Sequence, residues 1–295
     1  MKKNLIIAGT ILLTIIFAAC SNSNDVVNNN DEFAPVRVHV DGFSVTNEEF
    51  PTTRVAENVA DYSEVNAITL AFYSGNTEIQ KVTQLKSDNT TYTTFGNFSL
   101  SLPMGSYTMV VLAYYTNENS VLTLTSPTEA TFNVRARETF AKTQAVNITT
   151  TEAVDISTTL NRIVAKLQVV SSDGKAADVT NVRMTLSGGS KSFNPSSGLA
   201  TDNGGIINTV GNSAAVGTNS TSLTYLFLTS TEQTMDVTIE TLDAQGNTLF
   251  SKTVTNVPFK QNRVTTLTGA MYTNPGVSGA FQVETGWLTE SSVPF

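Results

Sequence analysis

The sequence predicts an all-β fold built as two tandem antiparallel β-sandwiches, and three observations lead there. Charged residues make up only 14% of the 295, while Thr, Ser, Asn and Val are abundant. β-branched side chains pack well on a pleated surface, and Asn, Gly and Ser supply the turns between strands. Short runs alternate apolar and polar residues with period two and are bounded by turn signals. The long Ala/Leu/Glu/Lys stretches that favour helices are missing. The strands are numerous enough for two sandwiches, with a boundary near Thr151.

Order is expected to begin at Val36-Arg37-Val38-His39-Val40, which alternates strictly, and to continue through Phe43 and Val45 after a bulge or bend at Gly42. Glu48 to Ser63 reads as loop or a short turn, with Pro51 lacking an amide proton. Strands then follow at Ile68-Leu70-Phe72, at Ile79–Val82 and at Phe98-Leu100-Leu102. Tyr107 to Tyr115 is almost continuously apolar, as in a central strand covered on both faces. Ala130-Phe132-Val134 and Ala145–Ile148 complete residues 36–151. In residues 152–295, a second cycle opens near Val154, with strands at Ile163–Val169 and Val182–Leu186. Residues 188–222, rich in Gly, Asn and Ser, read as a long irregular insertion. Leu223–Leu228, Met235–Ile239, Thr248–Val254 and Val264–Leu267 are further strands, and 281–295 opens with a last alternating segment.

The first nineteen residues have a different character. Lys2 and Lys3 precede an apolar run from Leu5 to Phe17, and the small residues Ala18 and Ala19 follow. That is a secretory signal in outline, residues 1–19, too short to span a bilayer comfortably. Cys20, the only cysteine, comes next and has no partner for a disulfide. The arrangement resembles a lipobox, with Phe17 where Leu is usual. It implies that Cys20 is diacylated and becomes the new N-terminus. Ser21 resembles the signal for outer-membrane sorting. An ordinary signal peptide cut near Ala19, leaving a free thiol, is the alternative. Residues 20–35 are Asn/Ser/Asp-rich and read as a flexible tether.

Composition also excludes. The net charge is −8 and becomes more negative once Lys2 and Lys3 leave, so a phosphate backbone is repelled and nucleic acid is not an expected partner. His39 is the sole histidine, which rules out a multi-histidine metal centre and leaves any Ser-His-Asp arrangement dependent on one residue. It sits on the polar face of the first strand. Glu48 and Glu49 point to opposite sides of an extended chain and do not share a site. Gly188-Gly189 and Gly204-Gly205 do not open a helix as a phosphate cradle must. No cofactor, metal or catalytic residue is expected, and the chain does not read as an enzyme. Trp287, with Phe281 and Phe295, reads as a core anchor or a side chain meant for a partner's groove, and a sugar-stacking platform is the other reading.

Arg54 is the position with most consequence. It follows Pro51-Thr52-Thr53 in a loop expected to be exposed, where proteolysis concentrates. Cleavage there would free residues 20–54 and with them the strand in 36–54. If that strand lies at a sheet edge, its loss leaves backbone groups that another extended segment can pair with. An ordinary inter-strand loop that happens to contain arginine is the plain alternative.

Several stretches together resemble the fimbrillin family, the lipoprotein precursors of type V pili in Bacteroidales, with its anchor and tip relatives. They are the lipobox at Cys20, Thr52-Thr53-Arg54, Leu102-Pro103-Met104-Gly105-Ser106-Tyr107, Leu160-Asn161-Arg162-Ile163-Val164-Ala165-Lys166-Leu167, and Asn262-Arg263-Val264-Thr265-Thr266-Leu267-Thr268-Gly269. The resemblance implies two transthyretin-like sandwiches, lipid-borne export, cleavage after Arg54 by an arginine-specific protease, and polymerisation by strand exchange. Residues 281–295 become the candidate donor strand, with Phe281, Val283, Thr285 and Trp287 as its knobs. The partners implied are copies of itself or related pilin subunits, and the place is the outer membrane and then the fimbrium. A non-polymerising outer-membrane lipoprotein that binds glycan or protein, including a fimbrial anchor, is the second expectation.

Overall fold

Strand follows strand through the whole described chain of the computed structural model, which covers residues 32–44, 56–57, 59, 61–88, 94–118, 120–273 and 281–285. All of them belong to the unit Glu32–Phe295. The first ten strands are β1 (Phe33–Ser44), β2 (Ala56–Glu57), β3 (Ala67–Ser74), β4 (Thr77–Leu85), β5 (Asn97–Pro103), β6 (Gly105–Tyr114), β7 (Leu122–Ser126), β8 (Glu129–Phe132), β9 (Thr139–Ile148) and β10 (Val154–Arg162). The rest are β11 (Ala165–Ser171), β12 (Asn181–Leu186), β13 (Ser192–Phe193), β14 (Ile206–Gly211), β15 (Thr221–Leu226), β16 (Glu232–Leu242), β17 (Thr248–Lys260), β18 (Val264–Gly269) and β19 (Gln282–Thr285).

An eight-stranded sheet runs β2-β1-β10-β9-β6-β3-β4, with β5 also on β1. β6 is buried on both faces over most of its length, as its nearly continuous apolar run predicts. Met109, Val111 and Ala113 enter one core with Val36, Val38, Phe72 and Leu160. Val110, Leu112 and Tyr114 enter a second core with Phe132, Phe193 and Phe227. The short sheet β13-β8-β7 contributes Leu122, Leu124, Ala130 and Phe132 to that second core. Tyr107 donates from its hydroxyl to the carbonyl of Pro103 at 2.7 Å. The Pro-Met-Gly-Ser-Tyr stretch is thus a turn latched by its own tyrosine.

Two four-stranded sheets, β15-β11-β18-β19 and β14-β12-β16-β17, enclose the third core. It contains Leu167, Val169, Met184, Ile239, Phe259 and Leu267. β10, which follows Thr151, stays in the eight-stranded sheet, and the first strand of the four-stranded pair is β11.

Two sequence expectations need correcting. The sheets are mixed rather than purely antiparallel, since β1 runs parallel to β10 and β11 parallel to β18. Alternation has the same period in either direction, so pattern alone does not reveal it. A parallel pair requires a long crossover, and more than a hundred residues separate β1 from β10. Residues 188–222 are also not wholly irregular. They carry β13 and β14, and β14 pairs with β12 from Ile206 to Gly211. Asn208 interrupts the apolar pattern there, and its amide donates to the Thr224 hydroxyl at 3.0 Å.

Candidate assembly site

β1 is not an edge strand. It pairs with β10 from Val36 to Ser44, and its other side is paired with β5 from Phe33 to His39 and with β2 at Phe43 and Ser44. The register slips between Val40 and Gly42, which is the bulge the glycine suggested. Ala34, Val36, Val38, Val40 and Phe43 are all buried. Burying that face stabilises by about 1.5–3 kcal/mol for each large side chain. The outward face is polar. Arg37 pairs with Asp155 at 3.2 Å, both well exposed. His39 faces outward as expected, with Nδ1 on Asn97 Oδ1 and Nε2 3.4 Å from Asp41.

At the C-terminal end of β1 the slot closes over a polar cluster. Phe43 stacks on Phe140 with ring centroids 4.3 Å apart and meets Tyr62 edge-on at 5.3 Å. The Arg162 guanidinium lies 5.0 Å over the Phe140 ring. Its Nε donates to Glu138 at 2.5 Å, and both side chains are only 2% exposed. Tyr62 accepts from Arg162 Nη2 at 2.7 Å and donates to Glu138 at 3.2 Å. Tyr225 also hydrogen-bonds Glu138. Burial first, and then the Glu138 charge, push both phenols well above their usual value. Beside this cluster is an open cleft of about 390 Å³ lined by Ser44, Arg162, Thr231, Lys260 and Asn262.

β19 lies at the opposite kind of position, on the edge of its sheet, antiparallel to β18. Thr265 is opposite Thr285 and Leu267 opposite Val283. Directly opposed residues share a face, so Val283 lies on the side of buried Leu267. Val283 nevertheless remains 40% exposed. Phe281 packs on the third core, seated against Gly269, where a Cβ would come within 2.8 Å of its ring. Gly269 therefore leaves room for the phenyl. Just before the segment that leads to β19, Asp173 accepts the backbone amides of Met271, Tyr272 and Thr273, each at 2.8 Å. Burial alone would raise the Asp173 pKa, but these bonds and the Thr273 hydroxyl outweigh it and hold the carboxylate low. The Tyr272 hydroxyl is held by Asn212 and Ser220.

Cys20, Arg54 and Trp287 lie outside the described residues. The sequence motifs acquire concrete roles where they are described. Arg162 is the buried cation, Asn262 turns the chain at φ 58° between β17 and β18, and Gly269 seats Phe281. Glu138, Tyr62 and Asp173 escaped sequence reading. Glu138 sits in the charged run Arg135-Ala136-Arg137-Glu138, which by pattern is a solvated loop. Among the described residues, no three His, Cys, Asp or Glu side chains are grouped to hold a metal.

The model of a family of unknown function (DUF6562) matches residues 36–292. No curated protein matches the chain. Among solved structures, the fimbrial anchor protein Mfa2 from Porphyromonas gingivalis aligns at 11% identity and a TM-score of 0.51, covering 86% of this chain and 98% of that one. A "putative adhesin" from Bacteroides ovatus aligns at 12% identity and a TM-score of 0.50, covering 91% and 99%. At such identities the likeness is one of fold. With a matching family model over most of its length and a fimbrillin-like fold, this chain belongs to the family of unknown function DUF6562.

Proposed function

We propose that the protein is a structural subunit of a cell-surface fimbria, exported as a lipoprotein on Cys20. It is activated by cleavage after Arg54 and polymerised by strand exchange for adhesion. The supporting observation is the position of β1, a middle strand whose buried face fills a slot between β10 and the β5/β2 side. Its chain connection to the remainder runs through the 45–55 segment that contains Arg54. Removing a strand so placed leaves two rows of unpaired backbone groups and an apolar trough, which an extended segment can satisfy together. β19 is a short edge strand with Val283 exposed, held by its four-residue pairing with β18 and by Phe281 on the third core. Such an assembly works by burial and pairing, and turnover chemistry is not part of it.

The depth of β1 favours a second reading too, a lipoprotein that keeps the strand and does not polymerise, as a fimbrial anchor or a binder of glycan or protein. Limited digestion with an arginine-specific protease separates the two. The subunit reading expects a stable product starting at Val55, ladders on unheated gels, and loss of both in Arg54→Ala. A chain that stays whole, or falls to pieces without forming oligomers, favours the second. Mass analysis of the mature N-terminus reads the lipid on Cys20 directly.

A further inference from the structure

Three arginines of the chain sit on carboxylates: Arg37 on Asp155, Arg162 on Glu138 and Arg183 on Glu240. Arg135 and Arg137 differ, for among the described residues neither has an ion pair. Yet Asp and Glu outnumber Lys and Arg by 25 to 17. The stretch that carries the two arginines, between β8 and β9, is anchored at several points. Ala136 and Glu138 are buried while Arg135 and Arg137 are half-buried, so the two cations share the outward side of an alternating run. The Ser120 hydroxyl donates to the Arg135 carbonyl at 2.7 Å, and the Thr139 hydroxyl to the Arg137 carbonyl at 2.8 Å. The Tyr115 amide donates to the Glu138 carbonyl at 3.2 Å. The Arg137 guanidinium lies 5.3 Å over the Tyr115 ring, and its Nε is buried with no hydrogen-bond partner. Burial first, and then the Arg135 charge, lower the Arg137 pKa, and the other groups that act on it are the phenols of Tyr115 and Tyr225 rather than carboxylates. Like charges held side by side, one of them with an unmet donor, are costly to the free protein and are relieved by an anion.

We propose that Arg135, Arg137 and Tyr115 form a binding site for the carboxylate of an acidic sugar in a glycan. The site gives the adhesive role proposed above a ligand class, and it does not depend on exchange of β1. A guanidinium offers Nε and Nη2 as a planar fork that matches two carboxylate oxygens. A ligand that draws the Arg137 fork toward itself satisfies the buried Nε–H, the Tyr115 ring backs the fork, and Arg135 supplies the second cation. The anchored backbone presents the pair ready-made, which lowers the ordering cost of binding. Net charge narrows the ligand. At −8 the chain repels densely charged partners such as nucleic acid, an anionic lipid surface or an acidic protein segment. A lone carboxylate on an otherwise neutral ligand escapes that repulsion and meets the two arginines within a Debye length. The residues after Tyr115 agree, since half-buried Thr116 and Asn117 are followed by exposed Glu118. Sugar hydroxyls suit such a rim, and a second negative charge does not.

The test titrates the full, uncut chain with two singly charged oligosaccharides, sialyllactose and a glucuronate linked to xylobiose, beside the neutral lactose and xylotriose. At least one acidic sugar should bind at least about tenfold more tightly than its neutral counterpart, and the tighter of the two names the acid. Arg137→Gln should weaken that binding at least about tenfold and Arg135→Gln at least about threefold. Arg37→Gln, at an exposed arginine that has its own carboxylate, should change it by less than about twofold. The unaltered protein gives a second readout free of any effect on folding: the Arg137 Nε–H resonance should move on saturation with the acidic sugar and stay in place with the neutral one. The site is overturned if neither acidic sugar exceeds its neutral counterpart. It is equally overturned if Arg137→Gln, melting as the wild type does, binds unchanged, or if the Nε–H resonance does not move. A capped Gly-Glu-Gly peptide that binds as tightly as the better sugar overturns the glycan assignment. Oligomer formation after cleavage at Arg54 is measured without these ligands, so strand exchange stands or falls separately.

Discussion

Arg162→Met is the substitution that most directly tests the polar cluster beneath β1. It removes the guanidinium that bonds Glu138 at 2.5 Å, in a place where both side chains are 2% exposed. It leaves the carboxylate with the hydroxyls of Tyr62 and Tyr225, which are neutral and do not replace a cation. Breaking a buried pair by removing one partner costs about 3–5 kcal/mol. For a unit of this size each kcal/mol moves Tm by about 2–4 °C, so the variant should melt roughly 6–20 °C lower. The loss of the cation over the Phe140 ring adds about 1–2 kcal/mol at most. Urea unfolding measures it, with a lower midpoint and an unchanged m-value. The variant Arg162→Met/Glu138→Leu removes both charges and should recover most of the deficit, because the cost lies in the orphaned carboxylate. A single variant that loses less than about 1 kcal/mol, or a double one as unstable as the single, would refute the reasoning.

Other outcomes follow from the same physics. Tyr62, Tyr114 and Tyr225 all have pKa values raised first by burial, and Tyr73 is pushed up to about 12. A raised folded pKa gives stability that is complete below the unfolded value of about 10 and is lost as pH climbs toward the folded one. Alkaline unfolding followed by circular dichroism should therefore begin above pH 10, and Tyr225→Phe should make it shallower. Gly269→Ala places a Cβ within 2.8 Å of the Phe281 ring. It should loosen β19 with little global destabilisation, read as faster amide exchange at 282–285. Asp173→Asn replaces a carboxylate acceptor by an amide that cannot receive three backbone N–H groups equally, and should cost about 1–3 kcal/mol. Because the Asp173 pKa is lowered, its contribution is present above the unfolded value of about 3.9 and is lost as pH falls through the folded one. The wild type should accordingly show an acid loss of protection at Met271–Thr273 that the variant lacks.

What the sequence made legible was local. Period-two alternation located β1, β3, β5, β11 and β12, and the nearly continuous apolar run at Tyr107–Tyr115 identified the strand between two cores. The glycine at 42 announced the bulge. What stayed hidden is held together across long separations. Nothing near Glu138 signals an arginine at 162 or a tyrosine at 62, and the pair exists only because β9 and β10 meet at Phe140 and Arg162. The middle position of β1 is hidden for the same reason. An alternating strand looks alike at an edge and in a centre when one face is solvated, and the outward Arg37 and His39 belong to either. β14 was missed because Ile207, 72% exposed, and Asn208 invert the expected pattern.

Under the strand-exchange proposal, a strand both deeply buried and replaceable is no contradiction once covalent connection is considered. In the uncut chain β1 competes for its slot intramolecularly, at an effective concentration in the millimolar range or above. A strand from another copy at micromolar concentration is disfavoured by roughly a thousandfold at equal intrinsic affinity, about 4 kcal/mol. A cut after Arg54 removes that advantage without altering one contact along Val36–Ser44. The proposed exchange would then be decided by how well each strand fits the same slot. Pairing on both sides over Val36–His39 and at Phe43 and Ser44, with a fully buried inner face, would thus do two things. On the strand-exchange proposal they would keep the uncut chain from exchanging, and they would offer a comparable free energy to whatever replaced the strand. A weakly held edge strand would fail on both counts, since it would let the uncut chain exchange prematurely and bind its successor poorly.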